Sequence, residues 1–517
     1  MRSVAFAVLL ALGFGLAQWM MGAYRSDLGG DPDEAAHAVT ALMVRDYLWH
    51  GGGESPLHFA ERYYETFPKV ALGHYPPGYY IPGALMLSLW CDPRALLVLQ
   101  LLLAVSAGLL TRWIWCRWTD DRGATGWIVA LMVVMHPEVI RVGCHVLSDL
   151  QVMLLTLAAV AAWIAYLKQP SWKSSQLFGA VTTAAILTKG SAMGLVGLPM
   201  LSVMLAGRLS LLRRPDFWLC GLPVMLVAGP WMMFSVRFTQ EGFMAESPSA
   251  FFVQACSYYA EAIPRVYGWP LVVGMMASLG RLLWLAVRHR PEREFRATLW
   301  AAWISMQALI MVVPTGFSPR YLVPGLPWIV LLVALELRDL LGKRSSFVAP
   351  LLLFLLTETT TWRREPKLVK GFSTLVEEKL ARTGQHGVWL VAADPRGEGA
   401  VIAAAAFGLD GESRVRGDLR VLRGSKVIAE TDWLGQRYET KFDSAGLLRA
   451  ELDHLGVDWV LVDESMPEAQ RKPHETFLKD ALEGAESGWQ PGVLHPVFRR
   501  MEASGVVWSF DRVQPTP

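Results

Sequence analysis

Apolar runs of about 20 residues alternate with short polar connections from Met1 to about Thr361. That length is what an α-helix needs to cross a bilayer. About eleven such runs are present: about 4–23, 94–114, 124–140, 149–167, a pair sharing 176–206 and broken near Thr188-Lys189-Gly190, then about 216–236, 268–287, 297–314, 321–338 and 346–361. The first run follows Arg2, lacks a clean Ala-x-Ala cleavage site and precedes many others, so it reads as a retained span rather than a signal peptide. The shorter run Gly78–Trp90 reads as a helix lying in the membrane interface.

The basic residues fall between the runs in a regular way. Arg112, Arg117 and Arg122 follow the second, Lys168 and Lys173 the fourth, Arg208, Arg213 and Arg214 the sixth, Arg288, Arg290, Arg293 and Arg296 the eighth, and Arg338, Lys343 and Arg344 the tenth. One topology puts every cluster on the cytoplasmic side: N-terminus inside and, after an odd number of crossings, C-terminal region outside. The opposite connections are then the long loop Arg25–Asp92, the turns at His136–Asp149, Lys189 and Pro314–Arg320, and the loop Arg237–Tyr267. The expected location is the cell inner (plasma) membrane.

Composition agrees with this division. Of 517 residues, 53% are hydrophobic and 18% charged, against about 25% charged in ordinary soluble domains. The net charge is +2, from 48 Lys+Arg against 46 Asp+Glu, which gives no basis for nucleic-acid binding. The five cysteines all precede the C-terminal region and show no zinc-type spacing. Residues 362–517 alternate strand-like and helix-like stretches: strands at Gly387–Asp394, Asp418–Ala429, Val457–Asp463 and Val506–Arg512, and an Ala-rich helix at Ala400–Phe407. The connection at 395–399 lacks the glycine spacing of a phosphate-binding loop and reads as a strand-to-helix turn. The expected architecture is a mostly α polytopic membrane domain, 1–361, followed by a soluble extracytoplasmic α/β domain, 362–517.

Candidate chemistry gathers in the outward connections. In Gly29-Gly30-Asp31-Pro32-Asp33-Glu34-Ala35-Ala36-His37, Asp31 suits a helix N-cap with Pro32 at the first helical position, and Glu34 the far side of a capping box. The same acids either start a helix or present carboxylates, with His37 one turn on. Further along, His74-Tyr75-Pro76-Pro77-Gly78-Tyr79-Tyr80 forms either an aromatic belt at the membrane boundary or a substrate-binding segment. Ser148-Asp149 suits a cap for the fourth span. Lys189 interrupts an apolar pair of spans, where a charge either snorkels or serves function. Arg320 stands at the Pro-rich start of a helix, in Ser318-Pro319-Arg320-Tyr321-Leu322-Val323-Pro324-Gly325-Leu326-Pro327, where a cation suits a phosphate.

Taken together, these positions resemble the GT-C superfamily of membrane glycosyltransferases, notably the ArnT-like and protein-mannosyltransferase-like enzymes of glycosyltransferase family 39. Asp33-Glu34 is similar to the family's acidic pair in the first outer loop, His74-Tyr75-Pro76-Pro77-Gly78 to its Lys/His-Pro-Pro segment, Leu187-Thr188-Lys189-Gly190 to its LTKG segment, and Arg320-Tyr321 with Pro324 and Pro327 to its RY-x-x-P-x-x-P segment. Tyr75 stands where that family places Lys or His directly before the two prolines. The resemblance implies transfer of a sugar from a polyprenyl-phosphate donor to a lipid, glycan or protein acceptor at the extracytoplasmic face. It implies Asp33 and Glu34 as catalytic acids, and Lys189, Arg320, His74 and Tyr321 at the donor lipid phosphate. His37, Arg141, His145 and Asp149 are further expected substrate contacts, and a divalent metal is a possible addition. Two rival functions are a transporter or flippase of lipid-linked sugars, which favours internal repeats that this sequence lacks, and a non-catalytic membrane scaffold.

Overall fold

The computed structural model describes residues 2–513 except 72, 244–246, 289, 291–292, 315, 343–347, 362–366, 431–437, 484–486, 493 and 500–503. The expected boundary at Trp362 and the basic residues Lys343 and Arg344 lie outside the described residues.

Among the described residues, six helices are long and apolar enough to cross a membrane by length and composition: Pro93–Thr119, Asp149–Lys168, Pro215–Thr239, Trp269–Val287, Arg293–Val312 and Pro319–Leu341. The helices Thr125–Val134 and Pro137–Gly143 together make a seventh, bent by 50°. The kink falls at His136-Pro137, where proline removes a backbone donor and disfavours helical geometry in the residue before it. Val4–Met20, Gly190–Ala206 and Val348–Thr361 are shorter apolar helices. Burial differs sharply among them. Within their apolar windows, Pro319–Leu341 is 89% buried and Pro215–Thr239 only 11%, so the first lies at the centre of the bundle and the second on its rim.

The two ends of the bundle differ chemically. At one end the basic connections converge: Arg208 pairs with Glu294 at 3.2 Å, Arg296 with Glu336 and Asp339 at 2.6 Å each, and Arg338 donates to the Thr119 carbonyl at 2.9 Å. At the other end lie the carboxylates and tyrosines of the first loop. There Pro32–His50 is a helix, followed by helices Pro56–Thr66 and Tyr80–Leu89, the last packed against the first. The segment Arg237–Tyr267, expected as a loop, contains the 20-residue helix Pro248–Tyr267. Its Ser247 cap and Pro248 at the first helical position start it, and Gln254, Ser257, Glu261 and Arg265 interrupt its apolar residues, which hides it from a search for apolar runs.

The C-terminal region forms a sheet of β1 (Val369–Lys370), β2 (Gly387–Ala392), β3 (Leu419–Arg423), β6 (Trp459–Asp463), β7 (Trp489–Pro491), β8 (His495–Arg499) and β9 (Ser504–Arg512), while β4 (Ala429–Glu430) and β5 (Glu439–Thr440) pair separately. The order is β1-β8-β9-β6-β2-β3, with β7 also on β9. β6, β2 and β3 run parallel and the other pairs antiparallel. The stretch Asp418–Ala429, expected as one strand, is instead strand β3, the short helix Gly424–Val427 and strand β4. The turn at 395–399 is already helical: Asp394 caps Pro395–Gly408 by accepting from Gly397 N at 2.9 Å.

This domain packs on the first loop through buried polar contacts. Helix Pro395–Gly408 lies on Pro32–His50. Arg414 grips Asp46 with two bonds of 2.7 and 3.1 Å, both side chains at most 2% exposed. Asp27 accepts from Phe372 N at 3.0 Å and Ser373 Oγ at 2.5 Å. Lys69 donates to the Pro395 carbonyl at 3.0 Å.

Candidate active site

The site begins at the start of the first-loop helix. Asp31 is extended (φ −137°, ψ 144°) and its carboxylate accepts from Asp33 N at 3.0 Å, with Pro32 at the first helical position. That places Asp33 in the first turn. The expected capping box does not form. Glu34 accepts from Gly30 N at 3.1 Å instead of from Asp31 N, and its other oxygen accepts from Val146 N at 3.1 Å and from Lys367 Nζ. Glu34 is 0% exposed. Both of its oxygens are thus engaged by groups of the protein.

Asp33 meets the Pro-Pro segment and the Pro-rich helix start. Its Oδ2 accepts from the Tyr75 hydroxyl at 2.9 Å and from Arg320 Nη2. Arg320 Nη1 also reaches Asp31 at 3.3 Å. Arg320 is set there by the 3₁₀ turn Pro319–Gly325, which precedes the helix Leu326–Leu341. Tyr75 therefore belongs to the carboxylate, although its position before two prolines suggested only a missing cation. His37, one turn after Asp33, is packed edge-on by Tyr75 (4.7 Å) and Tyr79 (5.1 Å) and lies 3.2 Å from the Tyr80 hydroxyl.

The Lys189 turn joins the same cluster through glycine. Gly78 N donates to the Leu187 carbonyl at 2.6 Å, and a Cβ on Gly78 would sit 2.6 Å from that oxygen. No other residue permits that approach without a shift. Gln151 spans the junction, donating to the Gly78 carbonyl at 2.9 Å and Thr188 Oγ1 at 3.1 Å. Lys189 Nζ then lies 2.6 Å from Asp149 Oδ1 and 4.8 Å from the centre of the Tyr321 ring. Asp149 stands at the first position of its helix, but Ser148 makes no capping bond and its hydroxyl finds no partner among the described residues. The cap that the sequence suggested is absent, and the acid instead holds Lys189.

Electrostatics keep Asp33 charged. Burial alone would raise its carboxyl, but the charge of Arg320 and the bonds from Arg320 and Tyr75 outweigh it and hold the group well below the usual carboxylate range. His37 moves the opposite way: burial brings it down to about 4 against the pull of Asp33, so its ring is neutral at pH 7. The cluster thus sets three carboxylates, Asp31, Asp33 and Asp149, against two cations, Lys189 and Arg320.

A cavity of about 230 Å³ opens beside this cluster. His74, Tyr75, Lys189 and Tyr321 form its polar end, and Met193, Met232, Val236, Leu309, Ile310 and Val313 its apolar length. One wall belongs to the rim helix Pro215–Thr239, so a hydrocarbon chain in this cavity would lie next to the bilayer.

The remaining expected residues fall nearby with other duties. Arg141 pairs with Glu138 at 2.5 Å, and His145 Nδ1 lies 2.9 Å from the Arg141 carbonyl while its ring packs on Gly30. His74 lines the cavity, its ring 6.1 Å from that of Phe238. Among the described residues no group of three or more His, Cys, Asp or Glu gathers as a metal site. Asp33 and Asp149 each already face a cation of the chain, so this arrangement does not fit a bound metal. Neither Lys69 nor Lys367 was given a site role from the sequence, and Tyr75 none of its own. Only Tyr75 carried a signal, as a break in an otherwise familiar motif.

No family model matches the sequence, and no curated protein matches it. Among solved structures, ArnT from Cupriavidus metallidurans in the apo state aligns over 98% of both chains with a TM-score of 0.55 and 14% identity. The Archaeoglobus fulgidus oligosaccharyltransferase tethered to an acceptor peptide aligns over 97% of this chain and 74% of its own, with a TM-score of 0.53 and 10% identity. The same archaeal enzyme, AglB, in complex with an inhibitory peptide and a dolichol-phosphate gives 0.52 and 10% over the same shares. At these identities the likeness shows the fold: a GT-C membrane architecture with a C-terminal α/β domain.

Proposed function

We propose that this GT-C-fold chain is a membrane glycosyltransferase that moves a sugar from a polyprenyl-phosphate donor to an acceptor hydroxyl. The observation that carries the reading is a cluster of one ionised carboxylate, Asp33, and two buried cations, Arg320 bonded to it and Lys189 paired with Asp149, beside an apolar cavity that Lys189, Tyr75 and Tyr321 line. A lipid-phosphate sugar has the same three parts: a hydrocarbon chain, an anion and a reacting carbon between the anion and the acceptor.

In the proposed reaction the polyprenyl chain lies in the cavity and the donor phosphate reaches Lys189 and Arg320. It exchanges with the carboxylates that now face these cations, which frees Asp33 for the acceptor. The acceptor oxygen attacks the anomeric carbon. The bond from that carbon to the phosphate oxygen breaks, and its electron pair leaves with the polyprenyl phosphate. The two cations stabilise the charge that develops there. The hydroxyl proton passes to Asp33. Freed from Arg320, the carboxylate is a stronger base than in the resting protein, and it takes the proton as the new bond forms. Before that it orients the acceptor. His37, neutral and locked among tyrosines, shapes the wall behind Asp33.

The basic connections at the opposite end support a topology with the N-terminus in the cytoplasm and the site and C-terminal domain, 362–517, outside. The test is Asp33→Asn in purified membranes, supplied with polyprenyl-phosphate sugars extracted from the expressing cells. The expected result is loss of transfer with expression and thermal midpoint retained. Wild-type turnover in that variant overturns the assignment.

A further inference from the structure

Asp33 and Glu34 are adjacent, yet their side chains lead to different parts of the molecule. Glu34 is wholly buried, and its three partners come from three separate segments. Oε2 accepts from Gly30 N, just ahead of Asp31 and Asp33. Oε1 accepts from Val146 N, three residues before the Asp149 that holds Lys189. The same oxygen takes Lys367 Nζ from the chain entering the C-terminal domain, a side chain 1% exposed. Packing reinforces these bonds. A Cβ on Gly30 would lie 2.7 Å from His145 Nε2 and 3.2 Å from Lys367 Cε, so the loop, the His145 turn and Lys367 are in close contact.

We infer that Glu34 is a positioning residue, not a catalytic one. Its carboxylate fixes the Asp33 loop against the turn that carries Asp149, the partner of Lys189, and the C-terminal domain completes the joint by supplying Lys367. The reasoning is geometric. A carboxylate has enough lone pairs to bind two backbone N–H groups and an ammonium at once. Its negative charge, alone in a buried setting, needs the lysine. Remove the lysine and the carboxylate is left uncompensated. Replace the acid by an amide and only one oxygen remains to accept, so one of the two N–H groups goes unheld. In either case the spacing between Asp33 and the Lys189 cation loosens. The soluble domain thereby has a part in turnover without touching substrate.

This inference rests on the proposed glycosyltransferase reading, and the experiment separates the two. Full-length Lys367→Met, Glu34→Gln and the double variant are compared with wild type in lipid nanodiscs. Three quantities are followed: thermal midpoint, hydrogen exchange in the segments 27–33 and 144–149, and sugar transfer from extracted polyprenyl-phosphate sugars. Each single variant is expected to lower the midpoint, speed exchange in both segments and reduce kcat about 100-fold, the scale of a misplacement near 1 Å, with the donor KM within about twofold. The double variant removes both buried charges, so its midpoint returns toward wild type. Its kcat stays low, because the amide still cannot hold both N–H groups. Recovery of kcat together with the midpoint overturns the inference and leaves Glu34–Lys367 as a docking contact only, as does unchanged exchange in the two segments. Should the exchange response appear while wild type transfers no sugar, the joint stands and the glycosyltransferase reading falls.

Discussion

Tyr75→Phe isolates one bond at the carboxylate. The substitution deletes a single oxygen, the one that donates to Asp33 Oδ2 at 2.9 Å, and leaves the ring packed edge-on to His37 at 4.7 Å. Arg320 remains on the same oxygen, so the carboxylate keeps its charge partner but loses the second of two restraints. A hydrogen bond to a charged acceptor contributes about 1.5–3 kcal/mol, which corresponds to roughly a 10- to 150-fold fall in kcat where the restraint acts in the transition state. The same loss raises the Asp33 pKa, because the Tyr75 bond is one of the causes that lower it. Because that group starts well below the usual range, it remains ionised at neutrality. The deficit is therefore expected to be constant between about pH 6 and 8, with little change in donor KM. The assay is initial-rate transfer across that pH range, wild type beside variant. An undiminished kcat would refute the role given to Tyr75. A deficit that closes as pH rises would show that the hydroxyl suppresses protonation of Asp33 and does not orient it.

Two further predictions concern the joint between the domains. Arg414→Met leaves the buried Asp46 with Tyr63 at 3.1 Å and Arg45 at 2.8 Å, and losing bonds to a charged group while one cation remains costs about 1.5–3 kcal/mol; the C-terminal domain should become sensitive to limited proteolysis, and Asp46→Asn in the same chain should recover part of the loss. Lys69 is brought down to about 8 by burial and by Arg423, from an ordinary value of 10.5. Between those values the unfolded chain binds more protons than the folded one, so the lysine's contribution to stability rises with pH there, by about 3 kcal/mol in all. Lys69→Met should remove that rise, which thermal midpoints of variant and wild type between about pH 7.5 and 10.5 would detect; parallel curves would refute it.

Much of this protein was legible in the order of its residues. Long apolar runs must become helices in a bilayer, because hydrocarbon offers no partner for an unpaired backbone group. The strand patterns at Gly387–Asp394 and Val457–Asp463 mark the parallel centre of the C-terminal sheet. Local chemistry also placed the helix start at Asp31-Pro32 and the candidate residues Asp33, Lys189 and Arg320, since their charges stand out in apolar or Pro-rich surroundings. The partner of each charge was not legible. Asp33 bonds to Tyr75 and Arg320, Lys189 to Asp149, and Glu34 to Lys367, across separations of 42, 287, 40 and 333 residues. The sequence offered the same cue for Asp33 and Glu34, two acids in one helical turn. Tertiary packing alone gave one of them a neighbouring cavity and sealed the other between three segments. Side chains a residue apart on a helix point about 100° from each other, and what each meets depends on chain that is remote in sequence.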